Sequence, residues 1–550
     1  MLPNNVLRNS FKLIIIALMA MVPFASLANN IEQKLPELKQ LLQPLYQTPE
    51  QKSEGPAKAT PILTPAVIHF YEQRDWKPIW DDSRFTSLLQ QIRQLKNDGL
   101  DPDDYFLPEL KTYIHIKNDE ERSIKRELLA TYVLLLALKH LQHGKVDPAQ
   151  LSPYWNFEVP PYNEEKEITN ARLAAENNTL SETFQQARPA VPAYAALQKA
   201  LNTLSKQKNN HWPVIPEGHL LKPGMDDPRI PLLRKRLQMA GYKGITKNKQ
   251  STTYDKELVD AIQHFQKENH IEPDGKIGPD TLQQLNTSKE QRINQLRVNL
   301  ERMRWHLHEL PDRYIMVDVA GYHISYVNHG EKQWESRVQV GRAYRKTPIF
   351  QSVITHLTLN PQWKVPPTIF FEDALPAIRK NIDYLERHHL HVYNQEGEEL
   401  PATSINWDSP DNITLVQEAG PEGALGQVVI RFPNDFSIYL HETPSKALFK
   451  KEQRAFSSGC IRVENIRELA VRLLDDSQHW SRGALETTLA EGKTHEVRLP
   501  HKIPILIAYW TVEADKEGHV QYRPDIYDLD TLVLQALDNV PPGSATMSDK

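Results

Sequence analysis

Cys460 is the only cysteine in 550 residues, so no intramolecular disulfide can brace this chain and every folded unit must be held by packing. The composition can meet that demand, with 40% apolar and 25% charged residues. The length exceeds what one hydrophobic core spans and predicts roughly two to four domains. A net charge of -5, with both signs mixed along the chain, leaves no long basic stripe and argues against nucleic acid as a partner. At the N-terminus, Arg8 and Lys12 precede an apolar run from Leu13 to Leu27 broken only by Pro23 and Ser26. Small residues Ser26 and Ala28 then stand where a signal peptidase reads, so residues 1–28 are expected to be a signal peptide and the protein to be exported to the periplasm. The run is shorter than the ~20 residues of a spanning helix, yet an uncleaved anchor in the inner membrane stays open as the alternative.

The periodicity changes along the chain and divides it. Residues 29–215 are predicted to be a helical scaffold, with helices over Phe85 to Lys96 and Arg126 to His143, the second carrying Leu129, Val133, Leu136 and Ala137 at helical spacing. Residues 216–288 read as a compact three-helix module. Its first helix carries Ile230, Leu233 and Leu237 and stops at Gly241, its second carries Leu258, Ala261, Ile262 and Phe265, and Gly278 with Pro279 opens its third. A helical connector (289–312) leads into strand signals at Tyr314 to Val319, His323 to Asn328, Ser336 to Val340, Ser352 to Leu359, Val428 to Phe432, Ser437 to His441, Ile503 to Val512 and Val520 to Tyr522. One amphipathic helix is expected over Asn465 to Leu474. The charged helical stretch within 369–412 interrupts the β pattern and reads as a lid-like insertion into a mainly β domain spanning 313–512, with 513–550 as a C-terminal extension. The expected class is therefore multidomain α+β.

The residues able to do chemistry cluster late. His441 ends a predicted strand, and Cys460 follows Ser457, Ser458 and Gly459 in a turn read as lying just before a helix. A thiol beside an imidazole or a helix N-terminus is stabilised as the thiolate that attacks carbonyls, which makes Cys460 the candidate nucleophile and His441 the candidate base. Gly459 admits close approach of a substrate, and backbone N–H groups around it and Cys460 could hold an oxyanion. Arg462 suits a substrate carboxylate or a turn-fixing role. Tyr439, two residues before His441, shares its face of the strand and can line a pocket or pack in the core. Trp363 and nearby Asn360 are likewise candidates to line the substrate pocket, with structural packing as the other reading for the tryptophan. His388, His389 and His391 suit a solvated helix end better than a metal site, and no metal or other cofactor is expected.

The run from His441 through Arg462, preceded in order by Val340-Gly341, Thr347-Pro348 and Asn360-Pro361-Gln362-Trp363-Lys364-Val365-Pro366, resembles the L,D-transpeptidase catalytic domain of the YkuD family and is most similar to its YcbB-type branch. The series Leu237-Gln238, Ala261, Phe265-Gln266, Asp274-Gly275, Ile277-Gly278, Thr281 and Leu285-Asn286 resembles a peptidoglycan-binding domain. Together the resemblances imply an enzyme acting on peptidoglycan peptide stems. Cys460 would form a thioester on a tetrapeptide stem, release D-alanine, and pass the acyl group to an amine in a 3-3 cross-link. Attachment of an envelope protein, L,D-carboxypeptidase activity, or a non-catalytic wall-binding scaffold are the alternatives. Cell-wall synthases and carboxypeptidases are the implied protein partners, and the family is generally acylated by carbapenems. Many members carry histidine where Ser458 stands, which leaves His441 as the base and Ser458 as a residue facing substrate. The resemblance also implies a backbone carbonyl that orients the base, which the sequence does not identify.

Overall fold

The computed structural model describes residues 64–539 except 117–118, 152–154, 157–162, 209–210, 246–249 and 515–518. The expected signal segment, residues 1–28, lies outside the described residues. Among the described helices none is long and apolar enough to cross a membrane.

The first unit is helical, with Pro65–Glu72, Asp82–Gln94, Glu120–His143, Glu164–Glu176, Leu180–Gln186 and Pro192–Ser205 as its main helices. Side-chain caps start several of them: Asp81 accepts from the Arg84 N–H and Asp119 from the Arg122 N–H, each filling a donor that the first turn leaves unpaired. The module that follows has its helices at Ile230–Met239, Lys256–Glu268 and Pro279–Asn286, close to the spacing prediction. Leu233, Leu237, Leu258, Ile262 and Leu285 are fully buried in its separate small core.

The connector helix Lys289–His306 begins with a complete capping box between Ser288 and Gln291. Its sides are buried nearly all round, which explains its weak amphipathic pattern: it packs against scaffold helices Pro192–Ser205 and Glu120–His143, and hydrogen-bonds through Arg292 to Asn269 and Gln284 of the module and through Gln295 to the Thr511 carbonyl.

The β domain is a mixed sheet with the order Trp155–Asn156, Ile349–Leu359, Val428–Arg431, Leu440–His441, Ile461–Val463, Glu331–Gly341, His323–Asn328, Arg313–Asp318 and His495–Ala508. His495–Ala508 also pairs with Ile349–Leu359, so the sheet closes on itself. The scaffold supplies the outermost strand, because Trp155 pairs in parallel with Ile349. Scaffold and β domain thus share one continuous apolar core.

Three expectations need correction. The predicted strand Ser437 to His441 is extended and paired only over Leu440–His441. Asn434 causes this: its Oδ1 accepts the N–H groups of Phe436 and Ile438, its Nδ2 donates to the Ile438 carbonyl, and Ser437 is turned into the left-handed region at φ 56°. Second, the insertion is not merely helical. Helices Leu375–Lys380 and Tyr384–Arg387 pack on a separate four-stranded sheet of Trp363–Lys364, Thr414–Gln417, Leu390–Tyr393 and Glu399–Leu400, with its own core, so the unit extends past both ends of 369–412. His391 lies on one of those strands and pairs with Glu399 at 2.7 Å, rather than ending a helix. Third, the C-terminal residues are no appendage: Tyr527, Leu529, Val533 and Leu537 are buried in the main core.

Candidate active site

Leu440–His441 and Ile461–Val463 run parallel, with Leu440 opposite Ile461 and His441 opposite Arg462. Because side chains alternate along a strand, this register puts Tyr439, His441, Cys460 and Arg462 on one face, the imidazole one diagonal step from the thiol. The sequence pattern had no means of fixing that register. The rings of Tyr439 and His441 meet edge to face at 5.7 Å between centroids.

His441 is buried, and its Nδ1 lies 2.6 Å from the Glu442 carbonyl oxygen. That contact holds the proton on Nδ1 and leaves Nε2 as the basic nitrogen, so the Glu442 carbonyl is the orienting group. Glu442 is itself clamped. Its N–H donates to the Val428 carbonyl, its carboxylate accepts from Arg467 Nε at 3.1 Å and from the Gln427 N–H at 2.9 Å, and Gly426, at φ 60°, lies so close that a Cβ there would stand 2.5 Å from Glu442 Cβ. Sequence reasoning passed over Glu442, although it follows the candidate base directly.

Cys460 is half-buried, and its Sγ contacts the Ser437 carbonyl at 3.6 Å. It precedes a short strand rather than a helix, and the helix Ile466–Leu474 begins six positions later, so no helix terminus stabilises a thiolate here. Burial pushes the thiol up to about 11, against smaller lowering effects from hydrogen bonding to Tyr439 and from the Arg462 and Arg431 charges. Burial and the Arg462 charge push His441 down to about 3, opposed by the Glu442 and Leu425 carbonyls. The resting pair is therefore neutral thiol and neutral imidazole across the physiological range.

The remaining sequence candidates separate. Gly459 has φ +118° and its N–H already donates to Ser457 Oγ at 3.1 Å, so of the two backbone groups considered for an oxyanion the Cys460 N–H is the better placed. Arg462 donates through Nη1 to buried Gln339 at 3.2 Å, and its buried Nε has no partner among the described residues. Ser458 is exposed, and its Oγ accepts from Arg345 Nη1 at 3.0 Å. Arg345 also pairs with Glu372 and Asp373, which ties the insertion to the turn that carries Cys460. Trp363 is half-buried, packs on the core of the insertion and interacts with the Tyr439 side chain, so it borders the site. Asn360 does not: it is fully buried, with Nδ2 donating to the Leu489 and Lys493 carbonyls at 3.1 Å and Oδ1 accepting from Gln427. Its role is to pin a strand end, and it is withdrawn as a substrate-binding residue.

Support for the turn comes from Thr347, already part of the motif series, and from Tyr527, which motif reasoning left out. Thr347 Oγ1 donates to the Gly459 carbonyl at 2.7 Å and accepts from the Gly341 N–H at 2.9 Å. Tyr527, from the C-terminal segment, donates to the Gly341 carbonyl at 2.6 Å and accepts from the Thr347 N–H at 3.1 Å.

Comparison with known proteins adds three domain matches. The L,D-transpeptidase catalytic domain family, YkuD, matches residues 312–488; a "Putative peptidoglycan binding domain" family matches 226–285; and a scaffold domain family matches 65–201. A Haemophilus influenzae protein named "Putative L,D-transpeptidase" is 34% identical over 289 residues, 51% of this chain and 57% of that protein. The match thus spans just over half of the curated relative's length. Among solved structures, an L,D-transpeptidase from Mycobacterium smegmatis aligns at 14% identity with a TM-score of 0.18, over 36% of this chain and 58% of that one. An L,D-transpeptidase from Xylanimonas cellulosilytica aligns at 13% identity with a TM-score of 0.17, over 53% of this chain and 99% of that one. Overlap at that level is too low to bear on activity.

Proposed function

We propose that this chain, whose residues 312–488 match the YkuD L,D-transpeptidase catalytic domain family and whose residues 226–285 match a peptidoglycan-binding domain family, cross-links peptidoglycan outside the cytoplasm. In this reading Cys460 Sγ attacks the carbonyl joining the third residue of a tetrapeptide stem to its terminal D-alanine. His441 Nε2 takes the thiol proton as the bond forms and gives it to the departing amine, leaving a thioester and free D-alanine. An amine of a second stem then attacks the thioester, His441 takes its proton, and the thiol is regenerated with a 3-3 cross-link formed.

The single observation that carries this reading is the 2.6 Å contact of His441 Nδ1 with the Glu442 carbonyl, on the face that also holds Cys460. It fixes the tautomer so that Nε2 is the basic nitrogen, one diagonal step along the paired strands from the thiol. A neutral pair requires proton transfer during attack rather than a standing ion pair, which limits reactivity until a carbonyl is seated. The Cys460 N–H is the proposed oxyanion donor, and Arg462 adds a positive charge that acts on the thiol. Ser458, where many relatives have histidine, fits the YcbB-type branch.

The test is mass spectrometry of products from tetrapeptide-rich wall fragments incubated with the wild-type chain and with Cys460→Ala. We expect 3-3 dimers, released D-alanine and a trapped acyl adduct from wild type only. Tripeptides without dimers would make it an L,D-carboxypeptidase, and no product from either chain would leave a wall-binding scaffold.

A further inference from the structure

The strand registers set a row of side chains across the sheet, starting at the thiol. Leu440 pairs with Ile461, which puts Tyr439 opposite Cys460, and Ile430 pairs with Leu440, which puts Arg431 opposite Tyr439. His356 pairs with Arg431 and Arg498 with His356, which completes the row. Leu357, Val428, Ile430 and Leu440 point the other way, into the main apolar core, as strand alternation requires. Sequence reasoning passed over Arg431, because only the pairing of distant strands brings it to the face of Cys460.

Arg431 is half-buried and held at two points. Its Nε donates to the hydroxyl of buried Thr358 at 2.8 Å, and its guanidinium stands 5.3 Å from the centre of the Tyr439 ring. Its two terminal nitrogens make no hydrogen bond or ion pair among the described residues. Arg337, Arg345 and Arg467 of the same domain are each tied to carboxylates. Glu496 shares the face, opposite Thr358 in the next row, but forms no ion pair with Arg431. The Arg431 charge also acts on the thiol, lowering it against burial. A guanidinium fixed through one nitrogen and one ring, with its outer fork open, is preorganised for a planar carboxylate.

Two strand spacings, about 10 Å, separate Arg431 from Cys460 along the sheet. The carboxylate it receives must therefore be carried at a distance from the carbonyl under attack. One on the carbon that bears the attacking amine would lie too close to the thioester, so the spacing favours the acyl donor over the acceptor. In the donor, the third residue supplies the attacked carbonyl, and a long side chain ending in a carboxylate, as in diaminopimelate, can cross the Tyr439 ring to Arg431. We propose that Arg431 is a specificity-determining residue for the acyl donor, pairing through its terminal nitrogens with the side-chain carboxylate of a third-position diaminopimelate and selecting it over a third residue that ends in an amide or an amine alone. The proposal rests on the transpeptidase reading above and adds which stems that site accepts.

The experiment follows D-alanine release and the acyl-enzyme by intact mass, in single turnover of the full chain. The substrates are two synthetic tetrapeptides that differ only at the end of the third side chain, a free carboxylate in one and a carboxamide in the other. Wild type should acylate from the free acid at least tenfold more efficiently, the difference lying mainly in the half-saturating concentration. Arg431→Gln should bring the ratio of acid to amide close to one, and Arg431→Lys should restore part of it. Equal efficiency of acid and amide in the wild type overturns the proposal, whatever the fate of the variants. So does an Arg431→Gln chain that slows both substrates alike with the ratio intact, the mark of an arginine that only supports Tyr439. A preference that arises only when the acceptor stem attacks overturns it as well. Failure of the transpeptidase reading looks different: wild type then releases D-alanine from neither substrate, and the proposal falls with it.

Discussion

At Cys460 burial outweighs every group that favours the thiolate, and the thiol sits at about 11 instead of 9.0. Alkylation of the resting chain by iodoacetamide should therefore be slow at neutral pH and keep rising as pH passes 9, read by intact mass; a plateau below pH 8 would refute the neutral resting pair. Arg462 lowers the thiol and also lowers His441, so Arg462→Gln should move the alkylation midpoint further upward. With His441 neutral down to about 3, activity between pH 5 and 7 should show no loss attributable to an ordinary histidine near 6.5, a profile that single-turnover acylation can measure. Cys460→Ser should all but abolish turnover while leaving the fold intact, since a hydroxyl is a far weaker nucleophile beside one imidazole.

Between elements, the turn Ser457 to Cys460 is held from behind by hydrogen bonds through Thr347 to Tyr527. Tyr527→Phe leaves the buried Gly341 carbonyl and Thr347 N–H without this partner, a loss of about 1–3 kcal/mol. We expect earlier chemical unfolding together with a fall in kcat/KM, because the same bonds position the Gly459 carbonyl. Thr347 was visible within the motif series of the sequence, whereas Tyr527 was not, being 180 residues away in a segment read as an extension. The helix boundaries were legible for a simple reason: Ser288 with Gln291, or Asp255 with Leu258, are local caps. The strand Ser437 to His441 was misread because Asn434 bonds Phe436 and Ile438 locally, and such side-chain bonds override an apolar alternation.

Across the whole molecule the connector helix is the shared wall. Glu301, fully buried, accepts from the Val146 N–H of the scaffold and from Arg304, which itself donates to the Asp98 carbonyl and the Tyr194 hydroxyl. Glu301→Ala strands Arg304 and should cost about 3–5 kcal/mol, lowering the melting temperature of scaffold and β domain together. Burial also holds His306 at about 3 and His270 and His308 at about 4, so these rings stay neutral in the folded chain. The unfolded chain binds protons there once pH falls below about 6.5, so stability is full above that value and declines progressively from 6.5 toward 4 and 3. Thermal melts at stepped pH check the slope, which His306→Gln should reduce.

Local signals were enough for the sequence alone to determine the helical periods, the order of units and the thiol–imidazole motif, because caps, alternation and turn residues act over a few positions. Only the tertiary structure decided the strand register that puts His441 beside Cys460, the carbonyl that orients the ring, the burial of Asn360 and the alignment of Arg431 with the thiol. Each of those depends on contacts between segments distant in the chain, and desolvation, which sets the charge state of the site, exists only once those segments have packed.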